Sequence, residues 1–74
     1  MRVVKLPINQ VSDEDIESGV FVRDWTDGGV LRKIVRRDIP LGYYHWVQVE
    51  GKGNPLILKP EVEVWKVVRG DELR

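Results

Sequence analysis

The sequence contains no cysteine and only one histidine, His45, among its 74 residues. Without thiols the chain cannot form disulfides, thiolate zinc sites or a cysteine nucleophile. With a single histidine, one chain cannot build a histidine-based metal cluster. We therefore expect neither a metal nor a cofactor, and a fold stabilised by its own hydrophobic core.

Long apolar runs are also missing, since none exceeds four residues, which is too short to cross a membrane. The first residues lack the apolar segment of a secretory signal peptide. Twelve basic residues balance twelve acidic ones, so the overall charge does not favour nucleic acid or argue against a local basic patch. These features predict a cytoplasmic protein that does not bind membranes, with a solvated tail at Asp71–Arg74.

Alanine, the best helix former, is absent, whereas valine and isoleucine supply eighteen residues. Because β-branched side chains favour strands, this composition predicts an all-β protein. Chain length limits it to a single domain over residues 1–74, with its core at about residues 19–68. Six strands are predicted: Arg2–Ile8, Val20–Trp25, Val30–Arg37, Tyr43–Glu50, Leu56–Lys59 and Val62–Val68.

The segments between these strands have the residues that turns require. Ser12 suits a helix N-cap and Gly19 a helix end, so the acidic residues between them predict a short N-terminal turn or helix. The Asp27-Gly28 pair predicts a hairpin, and a loop is expected at residues 38–42. Five or six short strands with tight turns indicate a small closed or nearly closed barrel, because closure removes exposed sheet edges.

Alternation assigns side chains to the two faces of these strands. Tyr44 and Trp46 share one face of their strand, opposite Tyr43 and His45. Val62 and Val64, with Val68 as a further candidate, are expected to face the core. Phe21 is also assigned to the core.

Five stretches form a pattern typical of a known class of barrels: Gly19–Val22, Asp27–Val30, Ile34–Val35, Trp46–Val49 and Leu58–Val64. Together they resemble SH3-like small barrels of the Tudor and KOW-like types, over about residues 19–68. The resemblance implies a small barrel of the kind often used for binding. The Ala-Leu-Tyr-Asp-Tyr signature of signalling SH3 domains is missing, so it does not imply binding of proline-rich peptides.

Four basic residues within six form the first candidate site: Arg32, Lys33, Arg36 and Arg37. Regular alternation places Arg32 and Arg36 on one face and the other two on the opposite face, so only a bulge near Ile34-Val35 would bring all four together. One interpretation is a stripe that contacts phosphates. The alternative is a solvated strand whose basic side chains form ion pairs with Asp24, Asp38 or the acidic segment.

Aromatic residues form the second candidate site, because a barrel of this size can bury only two or three large rings. Trp25, Tyr44 and Trp46 are the best candidates for exposed rings that stack on bases or enter a partner's pocket. In the alternative interpretation Trp46 and Trp65 belong to the core.

Two further features carry groups that could bind a cation or act in catalysis. The acidic run Asp13–Glu17 lacks the glycine and ligand spacing of a calcium loop, and a solubilising turn explains it. His45 could act as a general base, but the sequence offers no nucleophile at a defined spacing, no phosphate-binding loop and no paired-carboxylate motif. We therefore expect no enzyme, unless a ring of copies gathers His45, Tyr44 or Gln48 around a pore.

The sequence thus leads to a non-enzymatic binding module, for which two interpretations remain open. In the first, the basic strand and the neighbouring aromatics contact DNA or RNA. In the second, the chain is a protein-interaction module: an accessory subunit, a regulator or inhibitor of a larger complex, or a viral protein acting on a host factor. Self-association through the first strand is a variant of the second interpretation.

Overall fold

The computed structural model describes residues 2–38 and 42–68, so most of the predicted loop and the predicted tail at 71–74 lie outside the described residues. The elements, in chain order, are β1 (Arg2–Pro7), α1 (Asp13–Ser18), β2 (Val20–Asp24), β3 (Val30–Asp38), β4 (His45–Val49), β5 (Leu56–Leu58) and β6 (Glu63–Val68). Two short 3₁₀ turns, Ile8–Gln10 and Trp25–Asp27, follow β1 and β2.

The strands form one antiparallel six-stranded sheet in the order β1-β6-β2-β3-β4-β5. This confirms the prediction of a small all-β fold. The first 3₁₀ turn is held to the segment before β6, because the N–H groups of Ile8 and Asn9 donate to the carbonyls of Val62 and Pro60 at 2.9 and 3.1 Å. No helix in the described ranges is long and apolar enough to cross a membrane.

The core is made of side chains that alternate along the strands. Its fully buried members include Val20 and Val22 on β2, Ile34 on β3, Val47 on β4 and Val64 on β6. Val68 is also buried and Val62 packs against the core, as the alternation in the last strand predicted. The prediction for Phe21 is wrong: it lies between two core valines on β2, so its side chain points to the opposite face of the sheet.

The predicted acidic segment is a helix, α1, with the expected cap. Ser12 Oγ accepts from the N–H of Asp15, and the Asp15 carboxylate accepts from the N–H of Ser12, which forms a capping box. Gly19 ends the helix, with a φ of 128°. Ile16 joins the core, and Lys66 Nζ lies 2.6 Å from Asp15 Oδ1, so α1 is attached to β6.

β3 contains a bulge at Val35. Ile34 pairs with Val49, but the next pair joins Arg36 to Gln48, so Val35 has no residue opposite it. A bulge reverses the alternation beyond it. The side of the sheet to which each basic residue of β3 points therefore has to be read separately before and after Val35.

Candidate functional site

A buried carboxylate, Asp24, organises the turn between β2 and β3. Asp24 has no exposed surface, and its oxygens accept hydrogen bonds from the backbone and the hydroxyl of Thr26. Arg32 Nε lies 2.9 Å and Lys52 Nζ 3.0 Å from Asp24 Oδ2. Arg32 also pairs with Asp27 at 2.7 Å. A buried charge is tolerated when it is paired and hydrogen-bonded in this way.

These contacts act on the proton affinity of the carboxylate. Hydrogen bonds from Thr26 lower the pKa of Asp24 most, burial opposes them, and the bonds from Lys52 and Arg32 lower it further. The pKa of Asp24 therefore lies well below its ordinary value of 3.8. Asp24 is thus a fixed anion that holds the β2–β3 turn to Lys52, which follows β4.

The four basic residues predicted from β3 are not gathered into one patch. Arg32 lies opposite the buried Val22, and Arg37 opposite the buried Val47, so both belong to the core side of the sheet. Lys33 lies opposite Phe21 on the other side. Arg36 lies opposite Gln48 on that same side, so the bulge exchanges the faces of Arg36 and Arg37 and leaves the four residues divided two and two.

Three of the four are also paired within the chain. Arg32 binds Asp24 and Asp27, as described above. Arg36 Nε lies 3.0 Å from Asp38 Oδ1. Arg37 lies 3.8 Å from Asp13 and donates to the carbonyl of Ile8 at 3.3 Å. Asp24, Asp38 and the acidic segment, which contains Asp13, are the anions that the alternative interpretation of the basic strand named, and Asp27 is an additional one.

The three aromatic candidates are all exposed. Trp25, at 76% exposure, is the most exposed large apolar residue described, whereas Tyr44 and Trp46 are 44% and 39% exposed. Trp46 lies opposite Asp38 on one side and Ile57 on the other. The interpretation that placed Trp46 in the core is therefore wrong, because Val47 and Val49 take the core positions of β4.

Trp25 is held against the backbone although its ring is exposed. Gly29 has a φ of 80°, and a Cβ built there would lie 2.7 Å from the Trp25 ring. The Asp27-Gly28-Gly29 sequence therefore does more than reverse the chain. It provides the close approach that orients the indole.

Four strands present a second surface on the side of the sheet opposite the core, which we call the outer face. Its members are Val3, Lys5, Phe21, Arg23, Leu31, Lys33, Trp65 and Val67. The register places Lys5 opposite Trp65, Trp65 opposite Phe21, and Phe21 opposite Lys33. Two aromatic rings thus lie in a row between two lysines.

Arg23 extends the outer face toward Trp25. Its guanidinium carbon lies 5.3 Å from the Trp65 ring centre and 5.9 Å from that of Trp25, and it donates to the carbonyl of Gly29 at 3.1 Å. Lys5 Nζ lies 6.0 Å from the Trp65 ring. These are cation–π distances, and they leave the cations at the surface.

The sequence did not indicate that Lys5, Phe21, Arg23 and Trp65 lie side by side on one surface of the sheet. The alternation of Phe21 and Arg23 with the buried residues of β2 was the available signal. Which residues of β1 and β6 lie beside them depends on strand pairing, and one sequence does not specify that pairing.

The two remaining candidates, His45 and Gln48, lie on opposite sides of β4. His45 is on the same side of β4 as the buried Val47, and its Nδ1 has no hydrogen-bond partner among the described residues. Gln48 is on the opposite side and donates to Asp38 at 3.1 Å. Within the parts of the chain that the structure describes, no group of three or more acidic or histidine residues is arranged to hold a metal ion.

Comparison of the chain with protein-family models, with curated proteins and with solved structures gave no match.

Proposed function

We propose that the protein is a non-enzymatic binding module that contacts single-stranded DNA or RNA through the outer face. The observation behind this proposal is the cross-strand row Lys5, Trp65, Phe21 and Lys33. Proteins that bind single strands combine aromatic rings, on which bases stack, with cations that contact the backbone phosphates. The row supplies both groups on one sheet surface.

The charges of the outer face support the same proposal. Lys5, Arg23 and Lys33 form no ion pair with any residue in the described ranges, whereas Arg32, Arg36 and Arg37 are paired with carboxylates. Cations without a carboxylate partner gain more from a phosphate, because no existing ion pair has to be broken. This shifts the proposed contact from most of the basic strand to the outer face, with Lys33 common to both.

Carboxylates limit the direction of a bound strand. A cleft of about 340 Å³ at one end of the outer face is lined by Lys5, Arg23 and Trp65, and also by Glu61 and Glu63. The two glutamates would repel a phosphate inside the cleft. We therefore expect one base to enter the cleft with its ring face toward Trp65, while the two lysines of the row contact phosphates on either side of it.

The proposal includes the SH3-like type of barrel and a cytoplasmic location. SH3-like barrels place the last strand beside the first strand of an antiparallel meander. The order β6-β2-β3-β4-β5 supports this assignment, with β1 as an additional strand beside β6.

Fluorescence anisotropy with labelled fifteen-nucleotide oligo-dT and oligo-U tests the proposal. Two phosphate contacts, from Lys5 and Lys33, predict a slope of log affinity against log salt of about −1.4 on a single strand. Affinity should then fall about sevenfold from 50 to 200 mM salt. Absence of binding at 50 mM salt would exclude the proposed function.

Two basic residues of β3, one on each side of the bulge, provide a matched pair of variants. Lys33→Ala removes a cation of the outer face, whereas Arg36→Ala removes one paired with Asp38. We expect Lys33→Ala to weaken binding and to reduce the salt slope by about 0.7, and Arg36→Ala to change neither. If Arg36→Ala weakened binding more than Lys33→Ala, the phosphate contact would lie beyond the bulge of β3 and not on the outer face.

A further inference from the structure

A groove separate from the phosphate-contacting row lies between the β2–β3 turn and β5. Its volume is about 650 Å³. Apolar side chains of Leu56, Leu58 and Val62 line it, and the two most exposed apolar residues on it are Trp25 and Ile57, at 76% and 55% exposure. Exposed apolar surface that encloses a groove is typical of a binding site.

β5 contributes an unpaired backbone edge to this groove. It pairs with β4 along one side, from His45↔Leu58 to Val47↔Leu56, and it is the last strand in the sheet order. Within residues 2–38 and 42–68 no strand pairs with its other side. All three residues of β5 line the groove. An extended segment of another chain could therefore add to the sheet there while its side chains enter the groove.

The charges around the groove determine which kind of segment fits. Asp24 is the only carboxylate among the described residues that line it, and it is already occupied by Arg32 and Lys52. Arg23 and Lys59 are exposed on the rim and form no ion pair with any described residue. The rim therefore has an excess of positive charge and complements carboxylates.

The same charges disfavour a second copy of the chain as the occupant. The other end strand of the sheet, β1, has Arg2 and Lys5, which would approach a rim that is also basic. The acidic segment is helical in α1 and so cannot add to β5 as a strand. We propose that the groove binds an extended segment of a partner protein in which acidic and apolar residues alternate, with the apolar side chains on Leu56 and Leu58 and the carboxylates on Arg23 and Lys59.

This inference goes beyond the proposed function. The groove shares Arg23 with the outer face, but Lys59 belongs to the groove alone and Lys33 to the outer face alone, so variants at these two residues let the two proposals fail separately. The probe is an acetylated and amidated hexapeptide, Glu-Leu-Asp-Val-Glu-Leu, and its control replaces the three acids with lysines. In a ¹⁵N amide titration we expect shifts at residues 54–59 and at the Trp25 indole N–H for the acidic peptide only. Shifts confined to the outer face, or equal binding of the basic peptide, would overturn the proposal.

Substitutions at residues with surface-accessible side chains test the groove without removing part of the core. Lys59→Glu should weaken binding of the acidic peptide about fivefold, because it removes one rim ion pair and adds a repulsion in its place, and Trp25→Ala should weaken binding too. Lys33→Glu, on the outer face, should leave peptide binding unchanged while reducing oligonucleotide binding. If oligo-dT shifts residues 54–59 and displaces the peptide, the groove is a nucleic-acid site and the proposal is wrong.

Discussion

Gly29 is the residue at which backbone conformation and a candidate binding side chain are most directly coupled. Its positive φ suits glycine, and its missing side chain makes room for the Trp25 ring. Gly28 also has a positive φ, of 65°, but a Cβ there would meet nothing within 4 Å. The two glycines therefore separate the cost of backbone strain from the cost of moving the indole.

Gly29→Ala should be more destabilising than Gly28→Ala. Each substitution forces a side chain into the left-handed region, at a cost of about 1 kcal/mol. At Gly29 the clash with Trp25 should add about 1–2 kcal/mol and shift the tryptophan emission. Urea unfolding followed by fluorescence measures both effects. Equal losses of stability in the two variants would contradict the contact.

Asp24 should make stability depend on pH. Its pKa in the folded state lies below the ordinary value of 3.8, so the stabilisation is complete well above pH 3.8 and is lost as the pH falls toward the folded-state pKa. We expect the free energy of unfolding to decline between about pH 4 and pH 2. Urea unfolding at pH values from 7 to 2 measures this decline.

The matched variant for this effect is Asp24→Asn. It leaves Lys52 and Arg32 without their shared anion and should lower Tm by on the order of 10 °C or more at pH 7. Its stability should fall less steeply in acid than that of the wild type. Some slope should remain because Asp15 also has a lowered pKa: burial raises it, but bonds from Lys66 and Ser12 outweigh burial. Parallel pH curves would rule out Asp24 as the source.

At the scale of elements, α1 depends on its cap more than on its length. Six residues are too few for a helix to be stable by itself in water. The capping box satisfies two backbone donors at its start, and Ile16 and the Asp15–Lys66 contact attach it to the sheet. The acidic residues of its first turn also interact favourably with the helix dipole.

Ser12→Ala should therefore destabilise the protein by about 1 kcal/mol. Ser18→Ala, at the other end of α1, removes a hydroxyl without a capping role and should cost less than about 0.5 kcal/mol. Thermal unfolding of the two variants provides the comparison. Equal stability of Ser12→Ala and wild type would mean that the cap has no energetic role.

The bulge in β3 is the element-scale feature with the largest effect on the surface. Without it, strict alternation would place Arg32 and Arg36 on one face. With Val35 unpaired, Arg37 instead lies opposite Val47 on the core side, where it bonds to the carbonyl of Ile8. The one extra residue thus determines which basic side chains of β3 lie on the core side of the sheet and which lie on the opposite side.

At the scale of the whole molecule, a single small core limits the tolerance to mutation. The core of a 74-residue chain has few members, so each contributes a large share of the stability. Ile34 has no exposed surface, whereas its neighbour Val35 is 51% exposed at the bulge.

Ile34→Ala should cost about 3 kcal/mol and lower Tm by on the order of 15 °C. Val35→Ala should change the stability by less than about 0.5 kcal/mol, because that side chain is not in the core. Differential scanning calorimetry measures both values. A similar loss of Tm in the two variants would contradict the assigned register of β3.

Local sequence patterns were enough to predict the all-β class, all six strands to within two residues at each end, and the capped acidic segment. They were enough because these features depend on local properties: β-branched composition, glycine at turns, and Ser12 ahead of three acids. The inward valines of β6 followed from alternation for the same reason. The exposure of Trp25 followed from its position at a turn.

Which charged groups lack an ion pair, and which residues form a common surface, depends on how the whole chain folds. Ion pairs such as Asp24–Lys52 join residues 28 positions apart, and the row from Lys5 to Lys33 crosses four strands. Both depend on strand order and register, which arise from packing the whole core at once. The groove beside β5 likewise requires the β2–β3 turn and β5 to meet, and no local pattern in the chain specifies that meeting.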